Sequence, residues 1–288
     1  MPEGQQELES KTLLLSLDIM QRPIEPQDLD DDRIMVNDME YDDDETGLRM
    51  KYSGMLSEES GKPCGHGKLQ YLDRPSQQKR NPKHLKDLAK NHDFQLRWYK
   101  GQFVHGVKNG FGQSCYWSGA TYKGFFSQNM KNGHGTLDFP DGRRFEGLFE
   151  KNVKLEGTMM YEDGSTYSGK FAHGVRHGSN GTYRFGNSAL VYVGDFRKDQ
   201  IEGQGTLTWP NGGKYVGAWK NGVRHGHGTE YRADGSLMRS GKWENGSLIE
   251  PEKFDEEPDA QSYEYDEAES NYDSDSDEES YELRPSDI

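Results

Sequence analysis

The sequence predicts an all-β fold: an elongated, twisted antiparallel sheet of stacked β-hairpins, flanked by disordered acidic termini. Three observations carry that expectation. An aromatic residue recurs every 22 to 25 residues from Tyr99 to Tyr215, the self-similarity of a repeat architecture. Glycine is in excess and confined, with 33 of the 35 glycines between residues 50 and 249. Charge is segregated along the same boundaries: the formal −15 resolves into −11 over residues 1–49, +11 over 50–249 and −15 over 250–288. The chain therefore divides into an acidic, mostly disordered N-terminal segment (1–49), a basic repeat array (50–249) and an acidic, disordered tail (250–288). Segments rich in acid and poor in aliphatics bury too little surface to offset the entropy of ordering.

The N-terminal segment holds one apolar run, Leu13 to Met20. A membrane-spanning helix needs about 18 apolar residues or more, so this run is too short to span. It follows acidic rather than basic residues, so no secretory signal is expected. The run reads as a docking segment that packs on the array or meets a partner. Two cysteines, Cys64 and Cys115, make no disulfide framework and suit a reducing intracellular compartment.

The array opens with a degenerate unit, Tyr52-Ser-Gly54-Met-Leu56 running to Gly65-His-Gly67. Six fuller units start at Tyr99, Tyr122, Phe145, Tyr167, Tyr192 and Tyr215. Two residues on comes glycine, at Gly101, Gly124, Gly147, Gly169, Gly194 and Gly217. Two further on comes a second ring, at Phe103, Phe126, Phe149, Phe171, Phe196 and Trp219. A half unit follows from Ser240 to Gly246. Aromatic, glycine and aromatic at alternate positions share one face of a strand. A second alternation, such as Leu137 with Phe139 or Leu207 with Trp209, supplies the return strand of each hairpin. Asp141-Gly142, Asp163-Gly164, Asn211-Gly212 and Asp234-Gly235 are turn signals that link one unit to the next. The bend inside each unit is expected at its Gly-x-Gly segment. The glycine between the rings is expected to leave a slot for a neighbouring ring or backbone.

Two segments stand apart from the repeat. An insertion at 74–97 carries seven bases and two acids, and Arg74, Lys79, Arg80, Lys83, Lys86 and Lys90 are candidate contacts for an anionic partner. In the C-terminal tail, Ser274 and Ser276 each have an acid three residues on, which suits an acidophilic kinase.

The pattern Tyr-x-Gly-x-Trp/Phe, Gly-x-x-His-Gly-x-Gly and Asp-Gly resembles the MORN repeat (membrane occupation and recognition nexus). Asn132, Leu155 and Glu202 stand near the place of the usual histidine. The resemblance implies a non-enzymatic scaffold or protein-interaction module, with the ring and glycine positions above as structural repeat residues. An array joined to an acidic tail is similar in plan to the MORN subunit of the axonemal radial spoke head. That similarity implies a cytoplasmic or cytoskeletal component of motile cilia or flagella, with other subunits of an axonemal complex as partners and a homodimer as a further option. The alternatives are a membrane-associated adaptor or tether binding anionic phospholipid, and an adaptor for a motor or kinase. No catalytic residue, cofactor or metal site is expected. The chain has no phosphate-binding GxxxxGK[ST], no GxSxG and no kinase signature. Its histidines fall mainly at repeat positions, where they read as turn residues, and neither cysteine has a CxxC partner for a zinc site. Nucleic acid is not an expected partner, because the bases form no known reader motif.

Overall fold

The computed structural model describes residues 33–42, 48–72, 96–186 and 188–252. These form eighteen β-strands and, among the described residues, no helix. Chain contacts divide the molecule at Gly174 into two units. The first holds β1 (Arg33–Asp42), β2 (Arg49–Ser57), β3 (Pro63–Tyr71), β4 (Leu96–Val104), β5 (Val107–Tyr116), β6 (Thr121–Ser127), β7 (Met130–Asp138), β8 (Arg144–Glu150), β9 (Val153–Met160) and β10 (Thr166–Ala172). The second holds β11 (Val175–Arg176), β12 (Gly178–Arg184), β13 (Val191–Arg197), β14 (Gln200–Thr208), β15 (Lys214–Lys220), β16 (Val223–Tyr231), β17 (Leu237–Glu244) and β18 (Ser247–Pro251).

In the first unit every strand from β1 to β10 pairs antiparallel with the next in sequence. The glycines set the register. Gly101 lies across from Gly112, Gly112 from Gly124, Gly124 from Gly135, and Gly135 from Gly147. The structure moves the expected bend. The later hairpins turn at the two residues after their first strand, both with positive φ, as at Gln128 and Asn129 (+49° and +67°) or Lys151 and Asn152 (+46° and +71°); the β2–β3 hairpin has a longer turn with Gly61 at +64°. Two positive values are the turn that matches the right-handed twist of the flanking strands. The Gly-x-Gly segment instead lies inside the second strand, as a bulge. Between Gly124 and Phe126 the partner residue jumps from Gly135 to Lys131. Gly133 sits there at φ +91°, where a side chain would be strained. The residue missing from the third unit is absorbed by the same bulge, between Leu148 and Phe149.

Strand β1 is a second departure. Residues 33–42 fall in the stretch assigned to the acidic N-terminal segment, yet they pair with β2 from Arg33↔Ser57 to Asp42↔Arg49. A bulge at Asp38, φ +54°, resets the facing so that Met39 and Tyr41 are half-buried. Charge counts alone missed this alternation. The bases of the insertion from Arg74 to Lys90, Ser274, Ser276 and the run Leu13–Met20 lie outside the described residues.

In the second unit β12 to β18 pair antiparallel in sequence order. Its last hairpin changes chemistry. At the core position held by Leu207 in β14, β16 carries Glu230, which is 3% exposed. Across from it, where earlier units start with a ring, stands Arg239. Glu230 accepts from both Arg224 and Arg239, and both guanidiniums stack on Trp243, at 4.4 and 5.3 Å from its ring centroid. The core position and its cross-strand partner have changed together, from an apolar pair to an ion pair.

Candidate protein-interaction face

Each unit's sheet has two unlike faces. On one, the predicted repeat residues close on themselves. Tyr99, Tyr122, Tyr167, Tyr192 and Tyr215 are fully buried, as are Phe145 and the Tyr52 ring of the degenerate unit. The tyrosine ring folds forward over the glycine two residues on. Its hydroxyl then donates to the carbonyl of the third residue: Tyr99 to Gln102 at 2.9 Å, Tyr122 to Phe125 at 3.0 Å, and Tyr215 to Ala218 at 3.1 Å. The glycine slot is therefore filled by the unit's own ring and not a neighbour's, together with the backbone of the neighbouring strand, as at Gly124 and Gly135. Burial raises the phenol pKa of Tyr52, Tyr99, Tyr122 and Tyr192 well above its usual value, and that of Tyr215 to about 12.

The second ring of each unit joins these into a ridge. In the first unit Tyr52, Phe103, Tyr99, Phe126, Tyr122, Phe149, Phe145, Phe171 and Tyr167 meet edge to face in that order, with centroids 5.0–5.7 Å apart. In the second, Phe196, Tyr192, Trp219, Tyr215 and Trp243 continue the pattern at 5.2–5.4 Å. Edge-to-face pairs each contribute about 0.5–1.5 kcal/mol beyond area burial.

A further component of the ridge was not among the expected residues. In five return strands, β5, β7, β9, β11 and β16, the second residue is a base lying over the rings. Lys108 covers Tyr99 and Phe126, Lys131 covers Tyr122, Lys154 covers Phe145 and Phe171, Arg176 covers Phe196, and Arg224 covers Tyr215. Ile201, fully buried, takes that place in β14. The sequence signal is a base after Val or Met, two residues before the bulge glycine. It is hidden as long as Gly-x-Gly is read as a bend, because the residue then falls in a turn with no assigned face.

The opposite face is open. Lys123 and Phe125 of β6, Phe111 and Gln113 of β5, His134, Thr136 and Asp138 of β7, and Arg144 and Glu146 of β8 line a groove of about 790 Å3. Phe111 is 44% exposed and meets Phe125 edge to face at 5.5 Å. Arg144 pairs with Asp138 at 3.0 Å. The groove thus offers a ring pair, Phe111 exposed and Phe125 half-buried, beside polar and charged groups of both signs, the composition of a surface that binds a peptide segment.

The histidines do not form a set. His105 and His173 occupy hairpin tips with positive φ, as turn residues. His66, His134, His225 and His227 lie on strands. Among the described residues no group of three His, Cys, Asp or Glu is placed to hold a metal ion, and Cys64 and Cys115 are free thiols. No helix among the described residues is long and apolar enough to cross a membrane.

Compared with known families, the chain matches the MORN repeat model at residues 59–73, 99–118, 122–143, 167–189, 192–214 and 215–237. The unit at Phe145 is not matched, although Phe145, Phe149 and Gly147 pack as their counterparts do. No curated protein matches the chain. Among solved structures, the TCP10 domain of Danio rerio CPAP in complex with a peptide of STIL is 12% identical, covers 71% of this chain and 99% of its own, and gives a TM-score of 0.28. The TCP domain of Drosophila melanogaster SAS-4 in complex with a proline-rich motif of Ana2 is 13% identical, covers 63% and 90%, and gives 0.32. Likeness at this level supports no inference about this chain. MORN repeats are thus detected at six places in the array, and the unit at Phe145 shares their packing.

Proposed function

We propose that the chain is a non-enzymatic scaffold that holds a protein partner on its open sheet face, as a subunit of an axonemal complex of motile cilia or flagella. The observation that carries the scaffold reading is the contrast between faces. The aromatic ridge is closed by its own rings, hydroxyls and bases, whereas the groove at Phe111 and Phe125 presents a ring pair to solvent. Rings exposed in a groove and ringed by polar groups are typical anchors for a partner segment. The axonemal assignment is supported by the plan of a repeat array joined to acidic ends. It implies cytoplasmic or cytoskeletal residence.

Affinity purification of the full chain from ciliated cells tests both parts. Recovery of axonemal proteins is expected, with at least tenfold less recovered by Phe111→Glu/Phe125→Glu, since an anchor ring is worth about 2 kcal/mol or more. Recovery of no axonemal protein would sink the assignment. Equal recovery by the variant would sink the groove as the binding face.

A second reading, an adaptor on anionic phospholipid, is favoured by the exposed lysines Lys68, Lys100 and Lys123 on the same face. Each base near an anionic leaflet contributes about 1 kcal/mol. Co-sedimentation with phosphatidylserine vesicles that falls with added salt would support it over the axonemal one.

A further inference from the structure

Within their own sheet these lysines have little acidic company: Lys68 is attracted by Asp38 of β1, and none of the three has a carboxylate directly opposite. Lys68 on β3 lies directly across from Lys100 on β4. Lys100 lies across from Gln113, and Gln113 from Lys123 on β6. The other cross-strand neighbours are Ser53 for Lys68 and Thr136 for Lys123, so no carboxylate stands opposite any of the three. All three are exposed. Asp38 on β1 is already engaged, by Lys51 at 3.2 Å and by the Ser53 hydroxyl at 3.0 Å. Like charges directly opposite in a sheet are destabilising, and nothing in the hairpin requires lysine at these positions. The row ends beside Phe111 and Phe125, in the groove.

We propose that the N-terminal segment of this same chain, residues 1–32, docks on this face. Asp28 and Asp30 to Asp32 lie against Lys68 and Lys100, and the apolar run Leu13–Met20 covers Phe111 and Phe125 beside Lys123. The inference rests on the open face being the binding face and adds its regulation, because a partner must then displace the segment. Charge complementarity is the first argument: residues 1–32 hold nine acids and two bases, facing a row of three lysines.

The second argument is that the segment carries both chemistries the face offers, acid and an apolar run, in the order in which they occur. The acids next to Arg33 meet the lysines nearer β1, and the apolar run beyond them meets the rings. Residues 253–288 are acidic too, but Leu283 and Ile288 are their only branched aliphatics.

The third argument is reach. The segment joins β1 at Arg33, and neighbouring strands are about 4.8 Å apart, so β6 lies roughly 24 Å across the sheet. The thirteen residues from Met20 to Arg33 span up to about 43 Å when extended.

The test uses the full chain, purified and dilute, with a benzophenone amino acid in place of Leu17. After irradiation, adducts are mapped by mass spectrometry. Adducts within one chain are expected on the open face of β5–β7, near Phe111 and Phe125, with a yield that falls as salt rises. The variant K68E/K100E should lower that yield roughly tenfold, the size expected of two exposed charge pairs. Adding D28K/D30K/D31K/D32K to it should restore the yield, which a merely misfolded variant would not do. Near-ultraviolet circular dichroism of the buried tyrosines checks the fold of each. Adducts on the ridge face, adducts to residues 253–288, adducts joining two chains, or no adduct at all would each overturn the proposal, as would failure of the charge swap. No partner is present, so this outcome is independent of whether the groove binds one.

Discussion

At the residue scale, the repeat is governed by a tyrosine that shares its space with two glycines. A methyl group at Gly124 would lie 2.5 Å from the Gly135 Cα, 2.5 Å from the Tyr122 hydroxyl and 2.6 Å from the His134 carbonyl. Two of these obstacles are backbone, so the strands themselves must part. Gly235, in a turn at φ +85°, has nothing within 4 Å. Gly124→Ala is therefore expected to cost about 2–3 kcal/mol or more, and Gly235→Ala about 1 kcal/mol of backbone strain, in urea denaturation. Equal losses would refute the close-approach account. The spacing of Tyr122, Gly124 and Phe126 was legible in the sequence because period two alone puts them on one face. Which ring fills the slot was not, since periodicity says nothing of the side-chain torsion that lays Tyr122 over its own glycine.

At the element scale, consecutive hairpins are tied by their tips. The Asn129 amide donates to the Lys108 carbonyl at 3.1 Å, and the Lys108 amide donates to the Asn129 side chain at 2.7 Å. Asn152 repeats the exchange with Lys131, and Asp199 with Arg176. One residue thereby fixes a tight turn and its seat on the preceding hairpin. Asn129→Ala should cost about 1–2 kcal/mol, by loss of the side-chain bond and by strain at positive φ. Asn129→Gly should cost less, because it relieves the strain alone. A larger loss for glycine, measured by thermal denaturation, would contradict this. The Asp-Gly turns were readable as sequence signals, and they form as hydrogen-bonded turns: Asp163 accepts from the Ser165 amide at 2.9 Å and Asp234 from the Ser236 amide at 2.8 Å. Hydrogen bonds from the Ser165 and Ser236 hydroxyls, and then from the amides of the same residues, hold both carboxyls below the usual range. The tips carry no glycine signal at Gln128-Asn129. Two non-glycine residues supply the positive φ there, while Gly133, four residues on, marks the bulge.

At the scale of the whole molecule, the ridges make stability depend on pH through one residue type. Tyrosines that ionise near pH 10 when unfolded are held neutral by burial when folded, with Tyr215 at about 12. Above pH 10 the folded state binds more protons than the unfolded state, so stability is complete below pH 10 and declines from there toward pH 12. Urea midpoints across that range should fall, and Tyr215→Phe should lose less over the same interval than the wild-type chain. A flat profile would show that the hydroxyls are not desolvated.

The two ends of these hairpins also differ in their obligations. The tips at Gly106, Asn129, Asn152, Asp199, Gly222 and Gly246 are bonded to the preceding hairpin, whereas the turns at Asp163 and Asp234 close on themselves. Chain length can therefore vary at one margin of the sheet without disturbing the other. The longest connection between strands, from Tyr71 of β3 to Leu96 of β4, leaves and re-enters the sheet at that permissive margin. Foreign sequence grafted between Asp141 and Gly142 should be tolerated for the same reason, whereas a graft at Gln128-Asn129 would unseat the hairpin from its neighbour. Such an array can diversify along one border while its other border keeps the repeats in step.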